Sequence, residues 1–274
     1  MVRGAVVGAC AVLLAAAVAG CGGGEAANPP TTTIRQLRQF RIVFPEGYTR
    51  AKMADRVGVV VKIAEHESHR KVKLSQKAYL AATAKPRLVD GFGAKRLPLE
   101  GFLFPDTYDF DRASTSGQLV TGQLQEFASK WGALNLSYAR SKNLTPYDVL
   151  TIASMVEGEA QVPKERPLVA AVIYNRLHAH MPLGIDATLR YGLHIPPTQS
   201  LTQSELHNQT PYNTRVHDGL PPTPINNPGL AAIDAAAHPA HVDYLYFVRK
   251  PDHRHHYFTA SYQDFLQHEA AYGY

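Results

Sequence analysis

Cysteine is nearly absent from this chain of 274 residues. Its two cysteines, Cys10 and Cys21, both lie in the N-terminal segment, so the rest of the chain carries no thiol. A cysteine nucleophile, a structural disulfide and a cysteine-ligated zinc site are therefore excluded from the body of the protein.

A large excess of charge of one sign is also lacking. The chain has 28 Lys and Arg against 23 Asp and Glu, a formal charge of +5, and no run of basic residues. Nucleic acid is therefore not an expected partner. A mildly basic surface suits an anionic cell envelope, although it also serves solubility. The length and the 45% hydrophobic content fit one large or two small folded domains.

The first 21 residues have the pattern of a targeting segment. A short positive start at Met1–Arg3 precedes an uncharged run over residues 4–20 that ends in small residues before Cys21. This ending resembles a bacterial lipobox, in which Cys21 would be acylated and become the new N-terminus. An uncleaved transmembrane anchor and an ordinary secretory signal are the alternatives. All three place the body outside the cytoplasm, and the first two hold it at the cell membrane.

The remainder divides by composition into a linker and two larger parts. Residues 22–33 are rich in Gly and Pro and are predicted to be a flexible linker. Residues 34–97 are predicted to form a small module and its connector, with a strand at 40–44, a turn at 45–47 and a helix from Thr49 to about Glu65. Residues 98–274 are predicted to form the main domain.

The main domain is predicted to mix helices with few strands. Helices are expected over 116–131, 146–160 and 164–179, and one strong strand is expected at 244–248 in a loop-rich C-terminal part. Because strands and helices do not alternate regularly, the predicted fold class is α+β.

The helix predicted over 146–160 carries the most informative residue, Glu157. Thr145 has the character of an N-cap, followed by Pro146 at the first helical position and Asp148 in the first turn. Apolar residues then repeat at helical spacing, at Val149, Ile152, Ala153 and Val156.

Glu157 follows this apolar stripe, where an ionised carboxylate is unfavourable. Burial raises a carboxyl pKa, and a raised pKa suits a general acid near neutral pH. Small neighbours at Ala153, Ser154 and Ala160 leave room for a ligand. Glu159 is expected on a different side of the helix. The alternative is that Glu157 is merely an exposed or capping residue at a helix end.

Polar and aromatic residues follow on Pro- and Gly-rich segments. They include Asn175, Asp186, Tyr191, Tyr212 and Asn213. Rings that stack on sugar faces and amides that bond hydroxyl groups are typical of a carbohydrate-binding groove. Taken singly, each Pro/Gly segment is also compatible with an ordinary turn.

In this order, these blocks resemble the MltG (YceG-like) family of endolytic murein transglycosylases. The resemblance lies in the segments 100–108, 153–159, 175–177, 186–188, 212–214, 219–222, 227–229, 237–239 and 244–248. The strand and helix at 40–66 resemble the family's LysM-like region. The chain departs from the family pattern at Gly158, where Lys is usual, at Ile185 and Ala187, where Gln and Pro are common, and at Thr223.

The resemblance implies a fold with a small LysM-like N-terminal module followed by a mixed α+β catalytic domain over residues 98–274. It implies non-hydrolytic cleavage of the β-1,4 bond between N-acetylmuramic acid and N-acetylglucosamine, which leaves 1,6-anhydro ends and terminates nascent strands. The family's catalytic acid, the first Glu of a V-E-x-E motif, falls on Glu157. No cofactor and no metal are expected.

The expected partners are peptidoglycan glycan strands and the membrane, and a peptidoglycan synthase is considered although no residue identifies one. The residues expected to bind substrate are Asn175, Asp186, Tyr191, Tyr212 and Asn213, with loop scaffolding as the alternative for each.

Three other functions stay open at this point. One is a metal site at His253, His255 and His256 with His238 or His241. Another is a two-carboxylate glycoside hydrolase that pairs Glu157 with Asp186, with Asp106 and Asp218 as further carboxylates. The third is a non-catalytic glycan-binding lipoprotein of the envelope.

Overall fold

The computed structural model describes residues 39–273. The predicted lipobox at Cys21, the N-terminal anchor and the linker at 22–33 lie outside these residues. Between residues 39 and 273, no helix has both the length and the apolar character needed to cross a bilayer.

The chain begins with the predicted strand and helix. Strand β1 (Phe40–Val43) is followed by helix α1 (Arg50–Ser68), whose N-cap Thr49 accepts a hydrogen bond from the amide of Lys52. Helix α1 runs a few residues beyond its predicted end. Helix α2 (Gln76–Ala84) follows, with the side chain of Ser75 as its N-cap.

Strand β1 finds its partner beyond residue 97. It pairs antiparallel with β2 (Thr107–Phe110), with Phe40 opposite Phe110. The apolar cluster beneath this sheet combines residues from both sides of the predicted division: Ile42, Phe44, Met53, Val57 and Tyr79 with Leu99, Leu103 and Val120. The described residues, 39–273, accordingly belong to one compact unit.

The helical centre follows the predicted order. Its elements are α3 (Ser116–Gly132), α4 (Ser137–Ser141), α5 (Pro146–Glu159), a 3-10 turn (Pro163–Glu165) and α6 (Arg166–His178). The predicted start of α5 is confirmed, because Thr145 and Asp148 cap it reciprocally. Every residue from Val149 to Val156 is buried, so α5 is enclosed on all sides rather than along one stripe.

The C-terminal part contains more regular structure than predicted. It comprises α7 (Asp186–Leu193), α8 (Gln203–Leu206), α9 (Leu230–Ala237), β3 (Tyr246–Arg249), β4 (His256–Thr259) and α10 (Tyr262–Tyr272). This part was predicted to be loop-rich with one strand, and the helices within it, beginning with α7 at Asp186, were not predicted. Most of these helices are too short to show a clear apolar period. Helix α9 packs against both α5 and α6 and is apolar except at the exposed Asp234.

The sheets are small. Strands β3 and β4 form an antiparallel pair with Arg249 opposite His256, and the predicted strand at 244–248 is shifted by two residues at its start. With two two-stranded sheets among many helices, residues 39–273 form an α+β fold, as predicted.

Candidate active site

A cleft of about 1470 Å³ opens where distant segments of the chain meet. Its walls come from the turn after β1, the end of α5, the start of α7, strand β3 and helix α10. The acid predicted from the sequence, Glu157, lies in this cleft, in the last turn of α5.

Glu157 is partly buried and anchored by one backbone amide. Its Oε2 accepts a hydrogen bond of 3.1 Å from the N–H of Gly229, which is the N-cap of α9. Burial raises the pKa of the Glu157 carboxyl, and the carboxylate of Glu46 adds to the rise. The Gly229 amide and the guanidinium of Arg166 oppose it. Glu157 therefore keeps its proton to a higher pH than an ordinary glutamate does.

Asn227 joins the loops beside the cleft. Its Oδ1 accepts hydrogen bonds of 2.9 Å from two backbone amides of the 100–103 loop. Its Nδ2 donates to the Tyr48 carbonyl at 2.9 Å and to Glu100 at 2.8 Å, and its own carbonyl accepts from the amide of Gly47. One buried side chain thereby holds the 45–48 turn against the loop before β2.

The 45–48 turn brings a second carboxylate, Glu46, beside Glu157. A Cβ on Gly47 would lie 3.5 Å from Cγ of Glu157, and a Cβ on Gly229 would overlap the Glu46 carboxylate. Gly229 thus contacts both acids, one through its amide and the other through its bare Cα. Residues 45–47 have only the sequence pattern of a turn, and no local pattern connects Glu46 with Glu157.

A third acid, Glu100, was also missed, although it opens a segment that carries the family resemblance. It is buried and accepts hydrogen bonds from the amide of Arg50 at 2.8 Å, from Asn227 at 2.8 Å and from the Tyr191 hydroxyl at 3.1 Å. Burial raises the pKa of Glu100 to about 7, against the effect of these hydrogen bonds. Glu100 joins the start of α1 to α7 across the cleft.

Three of the five residues predicted to bind substrate lie in the cleft. Tyr191 and Tyr212 line it with their ring centroids 5.1 Å apart, edge to face. The Tyr212 hydroxyl lies 2.9 Å from Oγ1 of Thr223. Asp186, at the start of α7, forms an ion pair with Arg215.

The structure does not bring Asn175 and Asn213 to the cleft. Nδ2 of Asn175 donates to the carbonyls of Val242 and Tyr244, each at 2.9 Å. Asn213 is fully buried, and its Nδ2 donates to two carbonyls of the 206–208 segment. Both amides stabilise loop backbone, so the scaffolding alternative describes them better than substrate binding.

Glu159 enters the same cleft as Glu157 but has different neighbours. The backbone amide of Ala187 donates to it, and burial raises its pKa, with the nearby Asp186 adding to the rise. Between the two acids, Gly158 faces α7, where an added Cβ would lie 3.1 Å from Cβ of Ala187. Two departures from the family pattern, Gly158 and Ala187, are therefore in contact.

Aromatic side chains line a further part of the cleft and are here called the aromatic wall: Tyr246, Tyr262 and Phe265. The ring centroid of Tyr246 lies 5.4 Å from those of Tyr262 and Phe265, and the guanidinium of Arg176 lies 5.2 Å from it. Tyr262 remains 56% exposed, so its ring is available to a ligand.

Of the three carboxylates considered as partners of Glu157 in a hydrolase, Asp106 and Asp218 do not line the cleft. Oδ1 of Asp106 accepts a hydrogen bond of 2.6 Å from the amide of Thr107, and Asp218 lines a separate small pocket. Asp186 is the one member of this predicted set that lines the cleft, where Arg215 neutralises it.

The histidines predicted as a possible metal site have separate partners. His255 pairs with Asp252, His238 pairs with Asp234, and the buried His256 lies 2.8 Å from Glu165. Burial lowers the pKa of His256, although Glu165 opposes this. Among the residues that the structure describes, no group of three or more His, Cys, Asp or Glu side chains is arranged to hold a metal ion.

Comparison with known proteins agrees with the resemblance seen in the sequence. The family model of the YceG-like family matches residues 25–271. The chain is 37% identical over 155 residues to a protein of Bacillus subtilis (strain 168) named endolytic murein transglycosylase. It is 34% identical over 227 residues to a protein of the same name from Streptococcus pneumoniae (strain ATCC BAA-255 / R6).

The two alignments cover 56% and 76% of this chain, but only 42% and 40% of the relatives. The chain therefore spans less than half the length of the curated relatives it matches. A 2.6 Å crystal structure of a protein described as yceG-like, from Listeria monocytogenes, superposes with a TM-score of 0.64 and 28% identity. That match covers 83% of this chain and 74% of the other. With a family model that matches most of its length, the chain belongs to the YceG-like family.

Proposed function

We propose that this protein is an endolytic lytic transglycosylase of peptidoglycan, with Glu157 as its catalytic acid. The relatives from B. subtilis and S. pneumoniae carry the name endolytic murein transglycosylase. The observation that carries the proposal is the position of Glu157, a partly buried carboxyl group with a raised pKa on the wall of a long cleft. A carboxyl group of this kind can protonate a glycosidic oxygen near neutral pH.

The proposed reaction needs one acid that acts twice. Glu157 donates its proton to the oxygen between N-acetylmuramic acid and N-acetylglucosamine, and the bond from C1 to that oxygen breaks. The C6 hydroxyl oxygen of the muramic acid then bonds to C1, and its proton returns to Glu157. The products are a 1,6-anhydro end and a free 4-hydroxyl, so no water is consumed and the acid is regenerated.

The cleft fits a glycan chain in its chemistry. Sugar rings present apolar faces, and the exposed ring of Tyr262 in the aromatic wall offers a surface on which such a face can stack. Tyr191, Tyr212 and Asp186 present further polar groups in the same cleft. We infer that these three residues, rather than Asn175 or Asn213, contribute to substrate binding.

The finer features of the N-terminal part belong to the same proposal. We propose that residues 1–21 hold the protein at the extracytoplasmic face of the cell membrane, through a lipid on Cys21 or through a single transmembrane helix, and that residues 22–33 act as a tether. Residues 34–97 are proposed to be a LysM-like module with its connector, and residues 98–274 the catalytic domain. A peptidoglycan synthase is a proposed partner, since the proposed enzyme terminates growing strands.

Substitution of Glu157 by Gln tests the assignment of the acid. The amide keeps the shape of the side chain but cannot donate the proton, so we expect cleavage of uncross-linked glycan strands to fall by at least about 100-fold. Binding of the strands, measured by co-sedimentation, should persist. Glu126→Gln, on the surface of α3, is the matched control and should cleave normally. An active Glu157→Gln variant would refute the assignment.

A further inference from the structure

We propose that Glu46 is a second carboxylate of the active site, a positioning residue that acts through Glu157 by controlling its charge. The inference rests on the proposed function of Glu157 as the acid. It adds a role for a residue that lies outside the catalytic segment predicted from the sequence.

The first support is the way in which Glu46 is held. The carbonyl of Asn227 accepts a hydrogen bond from Gly47 at 3.0 Å, and the amide of Asn227 donates to Tyr48 at 3.0 Å. These two bonds bracket the turn that carries Glu46 and bind it to the residues just before α9. The position of the Glu46 backbone is therefore fixed by hydrogen bonds on both sides of the residue.

The second support is the contact at Gly229. The Glu46 carboxylate lies against the Cα of Gly229, in the space that any side chain at that position would occupy. The amide of the same residue donates to Glu157. A residue with a side chain at 229 would separate the two acids, whereas glycine lets both approach the start of α9.

The third support is electrostatic. The charged groups around Glu157 are Glu46 on the β1–α1 turn and Arg166 at the start of α6. The negative charge of Glu46 raises the pKa of Glu157 beyond the effect of burial, and Arg166 opposes it. Glu157 is partly buried, and burial together with the nearby Glu46 carboxylate favours the protonated form of Glu157 before cleavage.

The other acids of the cleft are less suited to this role. Asp186 is neutralised by Arg215, Glu100 is held by three donors on the far wall, and Glu159 accepts its hydrogen bond from α7. Glu46 is the carboxylate whose charge acts directly on Glu157. The active site therefore takes one acid from α5 and its companion from the N-terminal module.

The pH profile of kcat/KM on uncross-linked glycan strands tests this role. Activity that depends on protonated Glu157 falls as the pH rises through the pKa of that group. Glu46→Gln removes the like charge, lowers this pKa and should move the falling limb to lower pH by about one unit. At pH values above this falling limb, kcat/KM of the variant should be about tenfold lower than that of the wild type, while kcat/KM at low pH is retained.

Three further variants make the result decisive. Glu46→Asp keeps the charge and should keep the limb within about half a unit of its wild-type position. Gly229→Ala keeps the amide but displaces the Glu46 carboxylate, so the limb should move in the same direction as in Glu46→Gln. Asp109→Asn, an exposed residue on β2 remote from the cleft, should leave the profile unchanged.

If the falling limb of kcat/KM lies at the same pH in Glu46→Gln as in the wild type, the inference is overturned. This holds also if the activity of the variant is reduced by the same factor at every pH. If Glu46→Gln fails to fold, the limb in Gly229→Ala decides the question in the same way. The proposed function fails separately, if the wild-type protein produces no 1,6-anhydro ends or if Glu157→Gln remains active.

Discussion

The amide of Gly229 donates a hydrogen bond of 3.1 Å to Oε2 of Glu157 and so joins the first residue before α9 to the last turn of α5. The start of a helix favours a negative charge, whereas burial favours the neutral acid. Glu157 is therefore placed where both of its protonation states are accessible. An acid that gives up a proton and recovers it within one turnover needs such a balance.

Asn227 should be among the most important residues for stability. It is fully buried, and its side chain serves two backbone donors and two acceptors. Asn227→Ala leaves several of these groups without partners, so we expect the free energy of unfolding to fall by about 3 kcal/mol. Urea unfolding measures this loss.

Asn208→Ala is the matched control for that measurement, because Asn208 is exposed and its side chain accepts a single hydrogen bond, from the amide of Thr210. Its effect should stay within about 1 kcal/mol. Equal stabilities of the two variants would show that Asn227 does not hold the 45–48 turn.

Glu100 should make stability depend on pH. Its folded pKa of about 7 lies above the ordinary value of 4.5, so its contribution to stability is fully present below about pH 4.5 and is lost as the pH rises through about 7. Glu100→Gln removes this dependence. Between pH 4.5 and 8, the free energy of unfolding of the variant should therefore gain about 3 kcal/mol relative to the wild type.

Chemical denaturation across this pH range gives the comparison, with Glu126→Gln, at a partly exposed residue ion-paired with Lys130, as the control. Parallel curves for the wild type and Glu100→Gln would contradict the raised pKa of Glu100.

The aromatic wall should contribute to binding of long strands and not to the chemical step. Tyr262→Ala removes the exposed ring that we assign to a sugar face, so KM should rise about tenfold while kcat changes little. Steady-state kinetics on glycan strands provide both constants. Leu88→Ala, at a side chain that is 59% exposed and outside the cleft, should change neither. A normal KM in Tyr262→Ala would remove the aromatic wall from the binding site.

The parts of this fold that the sequence predicts are those with local causes. Thr145, Pro146 and Asp148 lie within one turn of the start of α5 and predict it. The apolar run before Glu157 predicts that this part of the helix is buried, as it is. The α+β class follows from the same kind of pattern, because the long helices are evident and no regular alternation with strands is present.

The remaining features depend on contacts between distant residues. Glu46 and Glu100 reach the cleft through hydrogen bonds centred on Asn227, more than a hundred residues away along the chain. Asn175 and Asn213 have residue types that can bond sugar hydroxyls, but their amides are hydrogen-bonded to backbone carbonyls of neighbouring segments. Residue type indicates what a side chain can bond, and only the packed structure determines which partner it has.

The central claim is that the C6 hydroxyl, and not water, captures the cleaved sugar. Digestion of uncross-linked glycan strands in water enriched in ¹⁸O, followed by mass spectrometry of the products, tests it most directly. The account predicts internal cleavage that gives 1,6-anhydro-muramic acid ends without ¹⁸O. Reducing ends that carry ¹⁸O would contradict it, and they would identify a hydrolase that activates water beside Glu157.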